Sequence, residues 1–179
     1  MDTKYLVILS AACGVGKSTI KSTLHERDLL PGFACIDSDE VRLNWWTYKG
    51  TPREQDYAAD CLARAFELAG EHHLLFGSCC APTDFRARIA PTLPQNVSVI
   101  YIAMTCSDAE VRRRLLARPP ERMCSDEAFI ASQIDYNRWI RSHSELYDLH
   151  LDNTDTAIDT TAADVAGFIN GIRGNILFS

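Results

Sequence analysis

Residues 4–20 read KYLVILSAACGVGKSTI. Residues 5–10 are an apolar run with the length and composition of a buried strand. Residues 11–16 are a loop of small side chains, and Lys17, Ser18 and Thr19 open a helix. Strand, small-residue loop and helix in that order make a cradle for phosphate. Backbone N–H groups of the loop and of the helix N-terminus point at the anion. Lys17 adds positive charge for the β- and γ-phosphates, and the Ser18 hydroxyl is suited to Mg²⁺. The expected nucleotide contacts are Cys13, Gly14, Val15, Gly16, Lys17, Ser18 and Thr19. Against the pattern G-x-x-x-x-G-K-[ST] the stretch departs at the first position, which is Ala11.

Working outward, strand-like and helix-like segments alternate along the 179 residues. Residues 18–27 read as a helix and 33–37 (FACID) as a second strand. Thr51-Pro52-Arg53-Glu54 carries the features of a helix start, and that helix is expected to run to about Ala69, with Gly70 ending it. Residues 73–78 and 97–104 are further strands. Ser107 is expected to cap a helix to about Ala117, and Ser125 a longer one to about Ser142. Residues 149–152 form a fifth strand, and a final helix is expected from Thr161. Strands separated by helical crossovers give a parallel sheet with helices on both faces. The expected fold is therefore α/β: a three-layer α/β/α sandwich on a five-stranded parallel sheet, in one domain spanning 1–179. Ligands of such sheets bind beyond the carboxyl ends of the strands.

Composition narrows the function classes. Hydrophobic residues make up 46 % and charged residues 23 %, as in ordinary globular chains. The net charge of −6 argues against a general nucleic-acid or anionic-membrane surface. No apolar run approaches a membrane span, no secretory leader is expected, and a cytoplasmic location is. The seven cysteines include no C-x-x-C pair, so neither a zinc site nor a disulfide framework is expected. Cys13, inside the phosphate loop, is a candidate for thiol sensitivity.

Beyond the second strand the chain reads Asp37-Ser38-Asp39-Glu40-Val41-Arg42. A phosphoryl acceptor must lose a proton as it attacks, and a nearby carboxylate can take it while another supports Mg²⁺. Asp39 is the candidate general base and substrate-orienting group, and Asp37 belongs with Ser18 to the metal environment. A bland alternative is a capping cluster that starts a short helix. Arg42, one helical turn from Asp39, is a candidate substrate clamp.

A strand, A-x-x-x-x-G-K-S-T, a helix and then DSDEVR together resemble the small P-loop kinases. That group of P-loop NTPases includes gluconate and shikimate kinases, polynucleotide 5′-kinases, zeta toxins and chloramphenicol phosphotransferases. The resemblance implies a nucleoside-monophosphate-kinase-like fold with a helical lid, and ATP with Mg²⁺. Asp39 and Arg42 fall on the acidic residue and arginine that follow the second strand in that group. The resemblance makes 43–71 the segment covering the acceptor, with Trp45, Trp46, Tyr48 and Arg53 stacking on substrate or packing the core. It makes 118–125 the lid loop, in which Arg118 and Arg122 would reach the transferring phosphoryl group, with Arg138 or Arg141 as substitutes. Asn153 and Thr154 would hold the adenine. Where many relatives carry aspartate at the end of the third strand, this chain has Gly77-Ser78. Thr83, Asp84, Arg86 and Arg88 are candidates for the acceptor site, whereas most of Arg112, Arg113 and Arg114 are expected in solvent.

Three functions follow. The leading one is an ATP-dependent kinase acting on a hydroxyl of a small molecule, as monomer or homodimer. The second is a nucleoside or nucleotide kinase in which Arg42, Arg53 and Arg86 grip a phosphate. The third is a nucleotide-dependent switch or ATPase without acceptor.

Overall fold

A computed structural model describes residues 3–119 and 124–176. Five parallel strands, β1 (Lys4–Ser10), β2 (Phe33–Asp37), β3 (His73–Ser78), β4 (Val97–Thr105) and β5 (Leu149–Asp152), form one sheet in the order β2-β3-β1-β4-β5. The helices are α1 (Lys17–Glu26), α2 (Tyr57–Ala69), α3 (Pro82–Arg88), α4 (Asp108–Leu116), α5 (Glu127–Ser142) and α6 (Ile158–Ile176). β1 pairs with β3 on one side and β4 on the other, so the phosphate loop leaves the middle of the sheet.

The side chains of β1 divide between two cores. Tyr5, Val7 and Leu9 pack with Ile20 and Leu24 of α1, Val111 and Leu115 of α4, and Val165 and Ile169 of α6. Leu6 and Ile8 pack on the opposite face with Cys61, Leu62 and Ala65 of α2, Phe85 of α3 and Ile140 of α5. A period-2 strand buried on both faces requires apolar residues at every position, which is what residues 5–9 supply. The expected three-layer α/β/α sandwich is the observed fold.

Several boundaries differ from the sequence reading. The α-helix expected after Thr51 begins only at Tyr57. Thr51 Oγ1 accepts from Arg53 N (3.2 Å) and Glu54 accepts from Gly50 N (2.6 Å), so the capping groups close a local turn. A short 3-10 turn at Glu54–Asp56 follows before the α-helix. α5 is capped by Asp126, which accepts from Phe129 N (2.9 Å), and not by Ser125. α6 starts at Ile158, ahead of Thr161, whose Oγ1 donates from within the first turn to Asn153 Oδ1 in the loop after β5. α3 was not anticipated: its few residues, opened by Pro82, fit a helical first turn but carry little periodicity. Of the expected lid, 118, 119, 124 and 125 are not helical, and 120–123 lie outside the described residues.

Candidate active site

The turn from β1 to α1 places its glycines where no other residue fits. Gly14 and Gly16 have φ of +87° and +116°, in the left-handed region. A Cβ on Gly14 would lie 3.0 Å from Leu115 Cγ, and one on Gly16 would lie 3.1 Å from Asn153 Nδ2. Ala11 is fully buried and, among the described residues, is not one with positive φ. Its Cβ therefore brings no backbone strain, which explains how the loop keeps its form without the first glycine of the pattern. Gly16 caps α1, and Lys17 follows, only 8 % exposed. The ammonium group donates to Ala11 O (2.6 Å) and Ala12 O (3.2 Å) and lies 3.4 Å from Cys79 Sγ.

At the end of β2, two places from β1 in the sheet, Asp37 is the capping residue that the sequence offered as its bland reading. Its carboxylate caps the 3-10 turn Ser38–Val41, accepting from Asp39 N, and also accepts from Ser18 Oγ at 2.6 Å. Asp37 is 5 % exposed. Asp37 pairs with Gly77 across the sheet, and a Cβ at Gly77 would lie 3.4 Å from its Oδ2. The missing aspartate of β3 thus coincides with close approach of the Asp37 carboxylate. Among the described residues no group of three His, Cys, Asp or Glu side chains could hold a metal by itself. A serine hydroxyl and one carboxylate do suit a hard cation that keeps several waters and shares phosphate oxygens, as Mg²⁺ does.

Two cavities open beside this loop. A cleft of about 480 Å³ is lined by Gly14, Gly16, Lys17, Ser18, Thr19 and Asp37, with Arg113, Arg114 and Arg118 opposite and Asn153, Thr156 and Ile158 at its rim. A second cavity of about 720 Å³ lies between the ends of β2 and β3, α2, α3 and α5. Cys13, Ser38, Asp39 and Cys79 line both, so the two spaces meet at Asp39.

Not every expected residue arrives at the site. Arg42 takes a left-handed backbone (φ 59°) that breaks the helical register with Asp39, and it is exposed outside both cavity walls. Arg53 is held by Asp60 (2.6 Å) and Asp56 (3.4 Å) and lies over the Tyr48 ring, again outside. Arg86 lies over Tyr101 and donates to Leu146 O. Val15 is fully buried and contributes its carbonyl to the loop's own bracing. Thr154 accepts from Ser107 N and donates to Asp152, apart from the cleft, whose rim is formed by Thr156 and Ile158 instead. The side chain of Asn153 reaches the loop, donating to Val15 O at 2.9 Å. Of the tryptophans, Trp45 lines the second cavity, while Trp46 is 65 % exposed beneath Lys49 and packs in no core. Arg118 borders the first cleft and donates to Cys124 Sγ. Arg122 lies outside the described residues. Arg138 and Arg141 are both tied to Asp108.

The largest omission of the sequence reading is Arg114. Its guanidinium joins Glu110, Val15 O (2.7 Å) and Asn153 O (3.0 Å), bracing the phosphate loop against α4 and the loop after β5. One signal was available: Arg114 sits between the inward positions Val111 and Leu115, whereas Arg112 turns outward to Glu127. Hydrogen bonds from Arg113 and then Arg114 hold the Glu110 carboxyl well down, at about 2.

A family model described as an AAA domain matches residues 7–135. The chain belongs to this family. No curated protein matches the sequence of this AAA-domain protein. Among solved structures, a gluconokinase from Sinorhizobium meliloti 1021 is 16 % identical with a TM-score of 0.67, covering 99 % of this chain and 98 % of its own. The tunicamycin resistance protein of Deinococcus radiodurans is 18 % identical with a TM-score of 0.65, covering 93 % and 95 %. A shikimate kinase from Bacteroides thetaiotaomicron is 13 % identical with a TM-score of 0.61, covering 93 % and 98 %. At these identities the likeness is one of fold, and it is the kinase-like P-loop fold expected from the sequence.

Proposed function

We propose that this chain is an ATP-dependent phosphotransferase that moves the γ-phosphoryl group onto a hydroxyl of a small molecule. The observation that carries the reading is the meeting of two cavities at Asp39, one built on the phosphate loop and one walled by aromatic side chains. A nucleotide switch has no use for the second space. The loop amides, the N-terminus of α1 and Lys17 take the phosphates, and Arg113, Arg114 and Arg118 face them across the cleft. Mg²⁺, when bound, neutralises charge on the β- and γ-phosphates. Ser18 and Asp37 would hold it. Asp39 receives the proton of the attacking hydroxyl and orients it towards the loop. We read the chain as a single kinase domain. A cytoplasmic setting accords with the use of ATP, and no helix among the described residues is long and apolar enough to cross a membrane.

A nucleotide acceptor loses its support, because Arg42, Arg53 and Arg86 lie outside the acceptor cavity. The test is ADP release with and without a panel of hydroxyl compounds, in the native chain and two variants. Lys17→Ala is expected to lower turnover about 10²-fold or more while the thermal midpoint holds. Asp39→Asn is expected to lower kcat by about 10²-fold with little change in ATP affinity. Near-normal turnover in folded Lys17→Ala, or a pure loss of ATP affinity in Asp39→Asn, contradicts the assigned roles.

A further inference from the structure

The two cavities differ in charge. The phosphate cleft presents Lys17, Arg113, Arg114 and Arg118 against Asp37 and Asp39. The second cavity presents Asp39 and Asp84 and, among its described lining residues, a single cation, Arg88. That guanidinium already donates to Gln55 Oε1 at 2.7 Å. Trp45, Tyr57, Phe76 and Tyr136 supply flat apolar walls. Tyr136 adds a hydroxyl that is buried with no hydrogen-bond partner. A buried donor of this kind is costly until something accepts from it.

Resting on the phosphotransferase reading, we infer that the acceptor is a ring-bearing hydroxyl compound that is neutral or carries an amine, and not a carboxylic or phosphoric acid. An anionic acceptor would lose its hydration beside Asp39 and Asp84 and would have to compete with Gln55 for Arg88. A neutral ring stacks on the aromatic walls with no charge to desolvate. An ammonium substituent gains from Asp84 at the cavity wall.

Three matched probes isolate the charge: 3-phenyl-1,2-propanediol, phenylalaninol and 3-phenyllactate, which are neutral, cationic and anionic. Calorimetric titration with the whole chain is expected to show the first two binding about tenfold or more tighter than the third. Asp84→Lys is expected to reverse the order of the two charged probes. Phenyllactate binding as tightly as phenylalaninol, or no binding by any of the three, overturns the inference. ADP release separates it from the underlying reading. Stimulation by gluconate or shikimate alone would retain the phosphotransferase and discard the charge preference. If bound neutral and amine probes and the wider panel all fail to stimulate release, the phosphotransferase falls while the cavity's preference stands.

Independently, two thiols meet where the cavities join. Cys13 follows β1 by three residues and Cys79 follows β3 by one, and these strands are neighbours paired through Ser10 and Ser78. Cys79 is exposed, Cys13 is half-buried, and neither is in a disulfide. Both residues line both cavities, and the Cys79 sulfur lies 3.4 Å from Lys17 Nζ. We further propose that Cys13 and Cys79 are an oxidative modification site for hydroperoxides, closing to a disulfide that blocks the phosphate loop. The Cys79 thiolate attacks one peroxide oxygen, the O–O bond breaks, and the alcohol or water leaves after taking a proton. The resulting sulfenic acid is attacked by the Cys13 sulfur. The S–O bond breaks, water leaves with the thiol proton, and the peroxide has taken up the two electrons lost by the pair of thiols. The neighbouring Cys13 thiol and the Lys17 ammonium hold the Cys79 thiol below its ordinary value against desolvation, favouring its role as attacking group.

Hydrogen peroxide, with and without prior Mg-ATP, provides the test. A Cys13–Cys79 linked peptide in the mass spectrum, turnover reduced about tenfold or more and restored by dithiothreitol, and protection by nucleotide are expected. Cys79→Ala is expected to lose the peroxide response whatever its own rate. Oxidation confined to other cysteines, or the same response in Cys79→Ala, overturns the proposal.

Discussion

Glu110 shows how a single side chain supports the site without touching it. It takes hydrogen bonds from Arg113 and Arg114, and Arg114 then reaches Val15 O and Asn153 O. Its folded pKa is depressed from 4.5 to about 2. A depressed carboxyl stabilises the fold above its unfolded value and loses that contribution as pH falls through the folded one. The pairing is therefore complete above pH 4.5 and lost towards pH 2. Acid unfolding followed by circular dichroism is expected to be less steep in that window for Glu110→Gln. An unchanged profile would show that the pair adds nothing to stability. The residues that the sequence singled out were those marked by a local pattern: the loop glycines, Lys17 and Ser18 by the phosphate-loop spacing, and Asp37 and Asp39 by following a strand. Arg114, Tyr136 and Thr156 escaped because their positions depend on how α4, α5 and the loop after β5 pack, which no local spacing encodes. Arg42 misled for the opposite reason: its spacing from Asp39 assumed a helix that ends one residue earlier.

Helices and strands were read well wherever burial on one or both faces left a long period. β1, β2, β3, β5 and α4 lie close to their expected bounds. α3 and the start of α2 were misread because a short helix and a 3-10 turn carry almost no periodicity. Two contacts between elements make further tests. Gly14→Ala would place a methyl group 3.0 Å from Leu115 Cγ in a left-handed backbone. A cost of about 1–2 kcal/mol from the backbone alone is expected, with weakened ATP binding, read by thermal unfolding and titration. Asn137 is fully buried on α5, accepts from Cys106 N (3.3 Å) and donates to Cys106 O (2.7 Å), tying that helix to the end of β4. Asn137→Leu leaves both backbone groups unsatisfied, and chemical denaturation is expected to show a loss of about 2–4 kcal/mol. A loss below about 0.5 kcal/mol would mean that water replaces the amide.

Across the whole molecule, the strand order puts the phosphate loop in mid-sheet, with β3 and then β2 on the side of the aromatic-walled cavity and β4 and β5 on the other. The parallel sheet was legible in the alternation of segments, but the strand order was not, because no local spacing encodes which strands pair. The walls of the second cavity were equally hidden, since Trp45, Tyr57, Phe76 and Tyr136 come from four separate parts of the chain.

The positions of the three tryptophans give the protein a built-in optical reporter. Trp45 borders the second cavity, Trp46 projects into solvent, and Trp139 stacks on Tyr136 and on His143. With Trp46 and Trp139 replaced by phenylalanine, the remaining indole emission is expected to change when an acceptor enters and to stay constant when nucleotide alone arrives. Stopped-flow fluorescence would then time the arrival of one substrate independently of the other, with no label attached.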